Sequence, residues 1–304
     1  MSKRVTVLMG GASAEREVSL RSGAAAAEAL TRAGYAVATV DAGRDPAELI
    51  TALRATDPEV VFNALHGRFG EDGCVQGLLN LLDVPYTHSG LLASAAAMDK
   101  AFARHLFAQA GIPVASGRLV AKGEKEPLPR PYVVKPVNEG SSVGVHIVRE
   151  GAHSTPLDSW PFEAESVLVE EFVPGRELTV AVMGDRALGV LEITSDRGFY
   201  DYEAKYAPGG SRHVMPAPIP ADHAAECCRL ALLAHQVLGC RGVSRADIRY
   251  DDTVPGREPR MVMLEVNTQP GMTATSLVPE IAAHAGISFP ELVRWMVENA
   301  ACDA

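Results

Sequence analysis

One stretch of the sequence, LEVNTQPGMTATS, ends an apolar run with an acid and an amide two positions apart, directly before a Pro-Gly turn. Side chains alternate along a β-strand, so Met263, Glu265 and Asn267 are predicted to share one face. Leu264 and Val266 are predicted to point the other way, into a core. The spacing therefore predicts a polar strand end that a bend immediately follows.

A second stretch, SRADIRY, puts Arg245, Asp247 and Arg249 on one face by the same alternation. If the two runs pair as neighbouring strands, Asp247, Glu265 and Asn267 converge as oxygen donors. Hard oxygen ligands with room for water and phosphate are what Mg²⁺ accepts in nucleotide sites. The alternative is a set of solvated polar residues on an exposed sheet face.

A magnesium site would imply an anionic partner, but neither GxxxxGK[ST] nor GxGxxG occurs in the chain. EGSSVG, directly after VVKP, has glycines, hydroxyls and amides that could wrap phosphate oxygens, and Lys135 lies on the strand leading in. Lys100 in MDKAF is a second candidate cation. A plain hairpin turn and a solvated lysine are the structural alternatives.

Two further candidate stretches follow early strands. GGASAEREVS places Glu15 near the start of a helix, where anions and small polar ligands bind. LHGRFGEDG adds His66, Glu71 and Asp72 at the carboxyl end of another strand, where open α/β sheets build clefts. The alternatives are a capped helix with Glu15 complementing its dipole, and a structural histidine.

These residues need a scaffold of strands and helices. The first ninety residues read as βαβ units around a parallel sheet, and a second unit begins near Met98. PYVVKPVNEGSSVGVHIV predicts an antiparallel hairpin, and REGAHSTPLDSW shows no clear helix. Further strands and one long helix follow towards the end of the chain.

Composition narrows the function classes. The 304 residues, 47% hydrophobic and 22% charged, predict two or three domains, and the net charge of −10 argues against broad nucleic-acid or anionic-membrane binding. Five cysteines without CxxC spacing predict neither disulfides nor zinc, and we expect them to be buried small residues. The apolar stretches are too short for a signal peptide or a membrane span, which predicts a cytoplasmic protein.

In this order along the chain, the motifs resemble those of the D-alanine–D-alanine ligases of the ATP-grasp superfamily. The resemblance covers essentially the whole chain, through GGASAEREVSLRSG, LHGRFGEDG, MDK, VVKPVNEGSSVG, YDYEAKY, SRADIRYD and LEVNTQPGMTATSLVP. It implies a mixed α/β and α+β chain with an ATP-grasp fold behind an N-terminal Rossmann-like domain. The implied domains are residues 1–95, a central subdomain 96–178, and a C-terminal subdomain 179–304 with the metal site and a lid loop.

The resemblance also implies cofactors and their ligands. ATP and two Mg²⁺ ions are expected, with Mn²⁺ able to substitute. The implied metal ligands are Asp247, Glu265 and Asn267. The residues implied to bind ATP are Lys100, Lys135, Ser141, Ser142, Glu170, Glu171, Glu177 and Lys205.

Substrate and catalytic roles follow from the same resemblance. Glu15, with His66 nearby, is expected to bind the ammonium group of the first D-alanine. Ser276 and the Leu277 amide are expected to receive the carboxylate of the second, and Arg245 with the Gly271 amide to stabilise an oxyanion. Lys205, which also contacts substrate, and Tyr206 would lie on the mobile lid. The residues implied to be catalytic are Glu15, Ser141, Arg245, Gly271 and Tyr206.

The activity implied is ATP-dependent joining of two D-alanines through an acyl phosphate, in peptidoglycan precursor synthesis and hence in cell wall biogenesis and cell shape. Tyr206 favours D-alanine as the acceptor, with D-lactate or D-serine as alternatives. An alternative function is that of a non-catalytic ATP-binding module on the same fold, because fold does not fix function. The expected small-molecule partners are ATP and D-alanine, and the chain is expected to form a homodimer. Neither nucleic acid nor membrane is expected as a partner.

Overall fold

A computed structural model describes residues 2–125, 127–140, 143–194, 210–273 and 275–303, and within them the strands form three sheets. The strands are β1 Arg4–Gly10, β2 Ala36–Ala42, β3 Val60–Asn63, β4 Gly117–Ala121, β5 Tyr132–Lys135, β6 His146–Val148, β7 Ser166–Glu171, β8 Arg176–Met183, β9 Arg186–Thr194, β10 Arg212–Val214, β11 Val243–Asp251 and β12 Arg260–Asn267. The helices are α1 Arg16–Arg32, α2 Pro46–Thr56, α3 Cys74–Leu81, α4 Leu91–Met98, α5 Lys100–Gln109, α6 Pro156–Ser159, α7 Ala221–Val237, α8 Leu277–His284 and α9 Phe289–Glu298.

The first sheet is parallel, in the order β2-β1-β3, which confirms the βαβ prediction for the start of the chain. Strands β1 and β3 lie side by side and end at Gly10 and Asn63. Since parallel strands end at the same edge of a sheet, the loops that carry Glu15 and His66 leave from one edge. The fold therefore brings together two stretches that are far apart in sequence.

The second sheet is antiparallel, in the order β4-β7-β5-β6. The predicted hairpin is confirmed, because Tyr132 pairs with Val148 and Val134 with His146. The expectation of no helix after β6 is wrong. One short turn, α6, forms there with a capping box between Thr155 and Asp158, whose reciprocal hydrogen bonds satisfy the free N–H groups of the first turn.

The third sheet is antiparallel, in the order β10-β9-β8-β11-β12. Helix α7 packs on one of its faces. Its buried Cys227, Leu230, Ala231 and Ala234 recur at three- and four-residue spacing, which is one stripe of an amphipathic helix. The opposite face of β11 carries Arg245, Asp247 and Arg249, whose side chains line the cavities described below.

Helices α8 and α9 join the first sheet to the third. Ile281 of α8 and Val293 of α9 are fully buried in one core with Phe62 of β3 and Leu191 of β9. Helix α9 begins at a capping box between Ser288 and Glu291. This shared core fixes the first sheet against the third and includes Met272, which follows β12. The domain limits 1–95, 96–178 and 179–304 stay a prediction.

The cysteines differ in part from expectation. All five are free, but Cys74 is exposed at the start of α3, and only Cys227 among them is fully buried. Burial raises the pKa of the Cys227 thiol to about 12. In the part of the chain that the structure describes, no helix combines the length and the apolarity needed to cross a bilayer.

Candidate active site

Strands β11 and β12 pair as the sequence predicts. Arg245 lies opposite Asn267, and Asp247 lies opposite Glu265, in antiparallel register. Side chains directly opposed across such a pair have Cβ atoms about 4.5–5.5 Å apart. Two carboxylates, an amide and a guanidinium are therefore gathered at the end of one strand pair.

The predicted alternation along β12 is wrong at one point. A β-bulge shifts the register, so that Asp247 pairs with Glu265 but the next residue, Ile248, pairs with Met263. Leu264 is the extra residue, and a bulge reverses which positions face which side. As a result Met263 packs with Val266 in the core under α7, whereas Leu264 lines a cavity beside Glu265.

Two adjoining cavities flank this strand pair. The first cavity is lined by the residues predicted to bind substrate and the oxyanion, and by one predicted metal ligand: Glu15, His66, Arg245, Gly271, Ser276, Leu277 and Asn267. The second cavity is lined by residues predicted to bind ATP or metal: Lys135, Glu170, Glu171, Glu177 and Asp247. Lys100, Glu139 and Glu265 line both, so the cavities meet at these three residues.

Asp247 is held on two sides. Arg245 donates to it from Nε at 2.9 Å and from Nη2 at 2.8 Å, and the Thr179 hydroxyl donates to Oδ1 at 2.7 Å. A bidentate guanidinium–carboxylate pair fixes both groups in plane. Because both side chains are nearly buried, at 13% and 9% exposed, their mutual orientation is well defined.

Lys100 stands where the two cavities meet. It opens α5, whose N-cap Asp99 accepts a hydrogen bond from the Phe102 amide at 2.9 Å. Its ammonium lies 3.5 Å from Glu265 Oε2 and contacts the Glu139 carbonyl. The lysine is only 8% exposed, so it is a fixed cation next to the candidate metal ligand and not a solvated helix-start residue.

A buried cluster of charges lines the second cavity. The carboxylate of Glu170 contacts Lys135 Nζ and lies 2.6 Å from Arg104 Nε. The three side chains are between 6% and 11% exposed, and two cations against one anion leave one positive charge in excess. Of the two cations, Lys135 lines the cavity, so it is the one that an anionic ligand in the cavity would meet.

The far side of the second cavity carries a second ion pair, in which Arg249 Nη1 lies 3.5 Å from Glu177 Oε2. Burial lowers the pKa of Arg249 below its ordinary value, and Glu177 opposes that shift. Glu171 pairs with Arg260 at 2.7 Å and accepts from the Ser116 amide at 3.2 Å.

The first cavity has an acidic corner where the loops after β1 and β3 meet. The Ser13 hydroxyl donates to the His66 carbonyl at 2.7 Å and accepts from the Glu15 amide at 3.2 Å, which ties the two loops together. His66 Nε2 lies 3.3 Å from the Ser22 hydroxyl, and Nδ1 lies 3.9 Å from Glu71. Because the carboxylates Glu15 and Glu71 line the cavity together with His66, this corner favours a small cationic group.

The start of α8 also lines the first cavity. Ser276 is the N-cap of that helix, and its hydroxyl accepts from the Thr273 amide at 2.9 Å. A Cβ on Gly271 would lie 3.0 Å from the same hydroxyl oxygen, so the Pro-Gly bend runs close to the cap. The amides and dipole of a helix N-terminus favour a carboxylate there.

Four of the sequence-predicted site residues, Ser141, Ser142, Lys205 and Tyr206, lie outside the described residues, as do residues 197–209 of the predicted lid, RGFYDYEAKYAPGGS.

Several contributors were not predicted from the sequence. Thr179 and Arg104, which hold Asp247 and Glu170, come from other elements and carry no motif. Gln269, 1% exposed, contacts the Leu65 carbonyl through its side chain. Its place in NTQPG, directly beyond the candidate ligands, was the one available signal, and that signal did not distinguish it from a turn residue.

The donor set suits magnesium. Among the described residues, no three His, Cys, Asp or Glu side chains lie close enough to form a metal site by themselves. Asp247, Glu265 and the Asn267 amide oxygen instead offer hard oxygen donors with an incomplete shell. Mg²⁺ in nucleotide sites is held by one or two carboxylates and completed by water and phosphate, so the residues present fit that ion.

Family models give the first comparison with known proteins. Residues 106–298 match the model described as D-ala D-ala ligase C-terminus, and residues 44–89 match the model described as D-ala D-ala ligase N-terminus.

Similar proteins extend over the whole chain. A D-alanine–D-alanine ligase from Paramagnetospirillum magneticum is 77% identical and one from Rhodospirillum rubrum is 60% identical, each over 100% of both chains. The crystal structure of D-alanine–D-alanine ligase from Bacillus anthracis complexed with ATP superposes with a TM-score of 0.83 at 28% identity, covering 98% of this chain and 97% of that one. The crystal structure of the VanG D-Ala:D-Ser ligase from Enterococcus faecalis superposes with a TM-score of 0.82 at 29% sequence identity, covering 98% of this chain and 99% of that one.

Proposed function

The chain belongs to the D-alanine–D-alanine ligase family, and from this membership we propose that it joins two D-alanines into D-alanyl-D-alanine while converting ATP to ADP and phosphate. The observation that carries the proposal is the meeting of the two cavities at Lys100 and Glu265. A nucleotide in the second cavity and an amino acid in the first would bring a terminal phosphate and a carboxylate together at these residues.

The chemistry explains why both cavities are needed. A carboxylate is a poor acyl donor, so one oxygen of the first D-alanine takes the γ-phosphoryl group, and ADP leaves. The amine of the second D-alanine attacks the carbonyl carbon of this acyl phosphate, and the C–N bond forms. The amine then loses a proton and phosphate departs with the carbon–oxygen bond electrons, which gives the dipeptide. Water must be excluded because it would compete with the amine.

For ATP we assign the second cavity, with its phosphates at Lys100 and Lys135. Lys100 and Lys135 would neutralise phosphate oxygens, and Glu177 would accept hydrogen bonds from ribose hydroxyls. Glu170 supports Lys135 through their ion pair and, with Glu171, faces the same cavity. The roles of Ser141, Ser142 and Lys205 at the phosphates, and the lid role of Tyr206, rest on the family resemblance alone.

For Mg²⁺ we assign Asp247, Glu265 and Asn267, with Mn²⁺ able to substitute. Bound there, the ions would offset negative charge on the transferring phosphoryl group. The protein prepares the site before binding, because Arg245 and Thr179 fix Asp247 and the bulge brings Glu265 to the point where both cavities meet.

For the amino acids we assign the first cavity. Glu15, with His66 beside it, would take the ammonium of the first D-alanine, and Ser276 with the Leu277 amide would take the carboxylate of the second. Arg245 and Gly271 line the same cavity, and the Arg245 guanidinium with the Gly271 amide would stabilise the oxyanion of the tetrahedral intermediate.

Gly67 offers a test of the acidic corner. Its backbone φ is +68°, and an added Cβ would lie 3.0 Å from both Glu15 Oε2 and Ser13 Cβ. We expect Gly67→Ala to displace Glu15 and to raise the KM of the first D-alanine by about tenfold, since small misplacements at a reacting centre are costly. The measurement is initial rate against D-alanine concentration at saturating ATP.

The matched control is Gly239→Ala. Gly239 has a similar φ of +71° but no atom within 4 Å of the added Cβ, so it carries the backbone strain without the contact. An equal rise in KM in both variants would mean that strain, and not the Glu15 contact, is responsible.

The proposed activity is tested by ADP release with ATP and Mg²⁺, with products identified by mass. D-alanine alone should suffice and L-alanine should not. ADP release only after D-lactate or D-serine is added would keep the ligase and change its acceptor. ADP release that stays at background with every D-amino acid would favour a non-catalytic ATP-binding module.

We also propose a homodimer in the cytoplasm that supplies dipeptide for peptidoglycan. The support is family membership and the net charge of −10, which disfavours anionic surfaces. Light scattering at micromolar concentration would measure the mass of the assembly.

A further inference from the structure

Three buried amide side chains lie between the first sheet and the end of β12. This amide cluster is defined by Asn63 at the end of β3, Gln76 on α3 and Gln269 just beyond β12, and each is at most 1% exposed. Asn63 Nδ2 donates to Gln269 Oε1 at 2.7 Å, and Gln76 Nε2 lies 3.5 Å from the same oxygen. The Gln269 amide nitrogen contacts the Leu65 carbonyl.

Gln269 therefore has both ends of its side chain engaged by the first sheet and the loop that follows it. The Gly70 carbonyl accepts from Asn63 at 3.1 Å and from Gln76 at 2.9 Å, so the loop between His66 and Glu71 belongs to the same network. Polar groups this deeply buried have no water to replace a lost partner, which makes the geometry of the network strict.

The backbone of Gln269 contacts the candidate metal ligand Asn267. Its N–H donates to Asn267 Oδ1 at 3.0 Å. An amide oxygen has two lone pairs, so one can accept this hydrogen bond while the other is available to a cation. One residue thus touches the candidate metal ligand through its main chain and the loop of the acidic corner through its side chain.

We propose that Gln269 is a positioning residue that holds Asn267 in register with the loop carrying His66 and Glu71. The proposal rests on the proposed function, since it links the metal end of the site to the pocket of the first D-alanine. It predicts that a single substitution, in contact with neither substrate, weakens both ends of the site together.

The test is Gln269→Met, which preserves side-chain volume and removes the amide. We expect the half-saturating concentrations of Mg²⁺ and of the first D-alanine each to rise by about tenfold, as is usual when groups behind a metal ligand are lost. Binding of Mn²⁺ with ADP, followed by electron paramagnetic resonance without turnover, should weaken by a similar factor. Gln269→Asn, one methylene shorter, should shift the same constants in the same direction and serves if the methionine variant does not fold.

The matched control is Asn80→Leu. Asn80 also bridges distant segments by its amide, donating to Asp303 Oδ2 at 2.8 Å and accepting from the Asp303 amide at 3.0 Å, but it lines neither cavity. We expect a lower Tm with unchanged binding constants. The same pattern in the Gln269 variants would overturn the proposal, because it would reduce Gln269 to a stabilising residue. Absence of dipeptide from the unaltered chain would instead count against the proposed function.

Discussion

Arg245→Ala is expected to lower kcat for dipeptide formation by about 10² or more. The Arg245 side chain lines the first cavity, and Arg245 lies opposite Asn267 in the strand pair. Loss of one preorganised oxyanion donor costs about this factor in other enzymes. The substitution also removes two hydrogen bonds from Asp247, so the Mg²⁺ requirement should rise as well. Stopped assays for dipeptide across Mg²⁺ concentrations separate the two effects.

Arg176→Ala is the matched control for this substitution. Arg176 makes a comparable bidentate pair with Glu192, at 2.7 Å for both bonds, in the same sheet but away from both cavities. Its loss should change stability and leave kcat within about twofold, as expected for a side chain remote from the reaction. Unchanged turnover in Arg245→Ala would remove Arg245 from the mechanism.

Glu265→Gln is expected to reduce Mg²⁺-dependent turnover by roughly 10² or more, an effect far larger than its effect on folding. The amide keeps the size of the side chain but removes the negative charge, and metal-ion charge stabilisation is worth several kcal/mol. Lys100, 3.5 Å away, would lose its counter-ion while keeping its contact to the Glu139 carbonyl. ADP release at a series of Mg²⁺ concentrations, with thermal unfolding of the same preparations, gives both quantities.

The control here is Glu258→Gln, a carboxylate 84% exposed that pairs with His223 and lines neither cavity. Exposed ion pairs contribute about 0–1 kcal/mol, so both turnover and Tm should be nearly unchanged. Equal Mg²⁺ dependence in Glu265→Gln and the unaltered chain would show that Glu265 is not a metal ligand.

Local pattern was enough to predict the parallel first sheet and the polar faces of the two strands. Alternation put Asp247 on one face of SRADIRY and Glu265 on one face of MVMLEVN, and their convergence depended on the assumption that the strands pair, which the structure confirms. The bulge at Leu264 could not be predicted in this way, since no glycine or proline marks it and the register depends on the partner strand.

The supporting contacts were beyond the reach of single-sequence reasoning for a different reason. Glu170 meets Arg104 from α5, and Gln269 meets Asn63, which is more than two hundred positions away. Such pairs depend on where the sheets lie relative to one another, and neither residue type has a distinctive local pattern. Family resemblance identified the roles, whereas the fold identified what holds those residues in place.

Because of the bulge, the positions of β12 that face the core change from odd-numbered to even-numbered residues at Leu264. Before Leu264, odd-numbered side chains such as Met263 face α7; beyond it the even-numbered Val266 does. A degenerate codon library for this strand must therefore invert its polar and apolar positions at Leu264. Deleting that one codon would restore regular alternation, because Met263 would then directly precede Glu265 and adjacent residues of a strand face opposite sides.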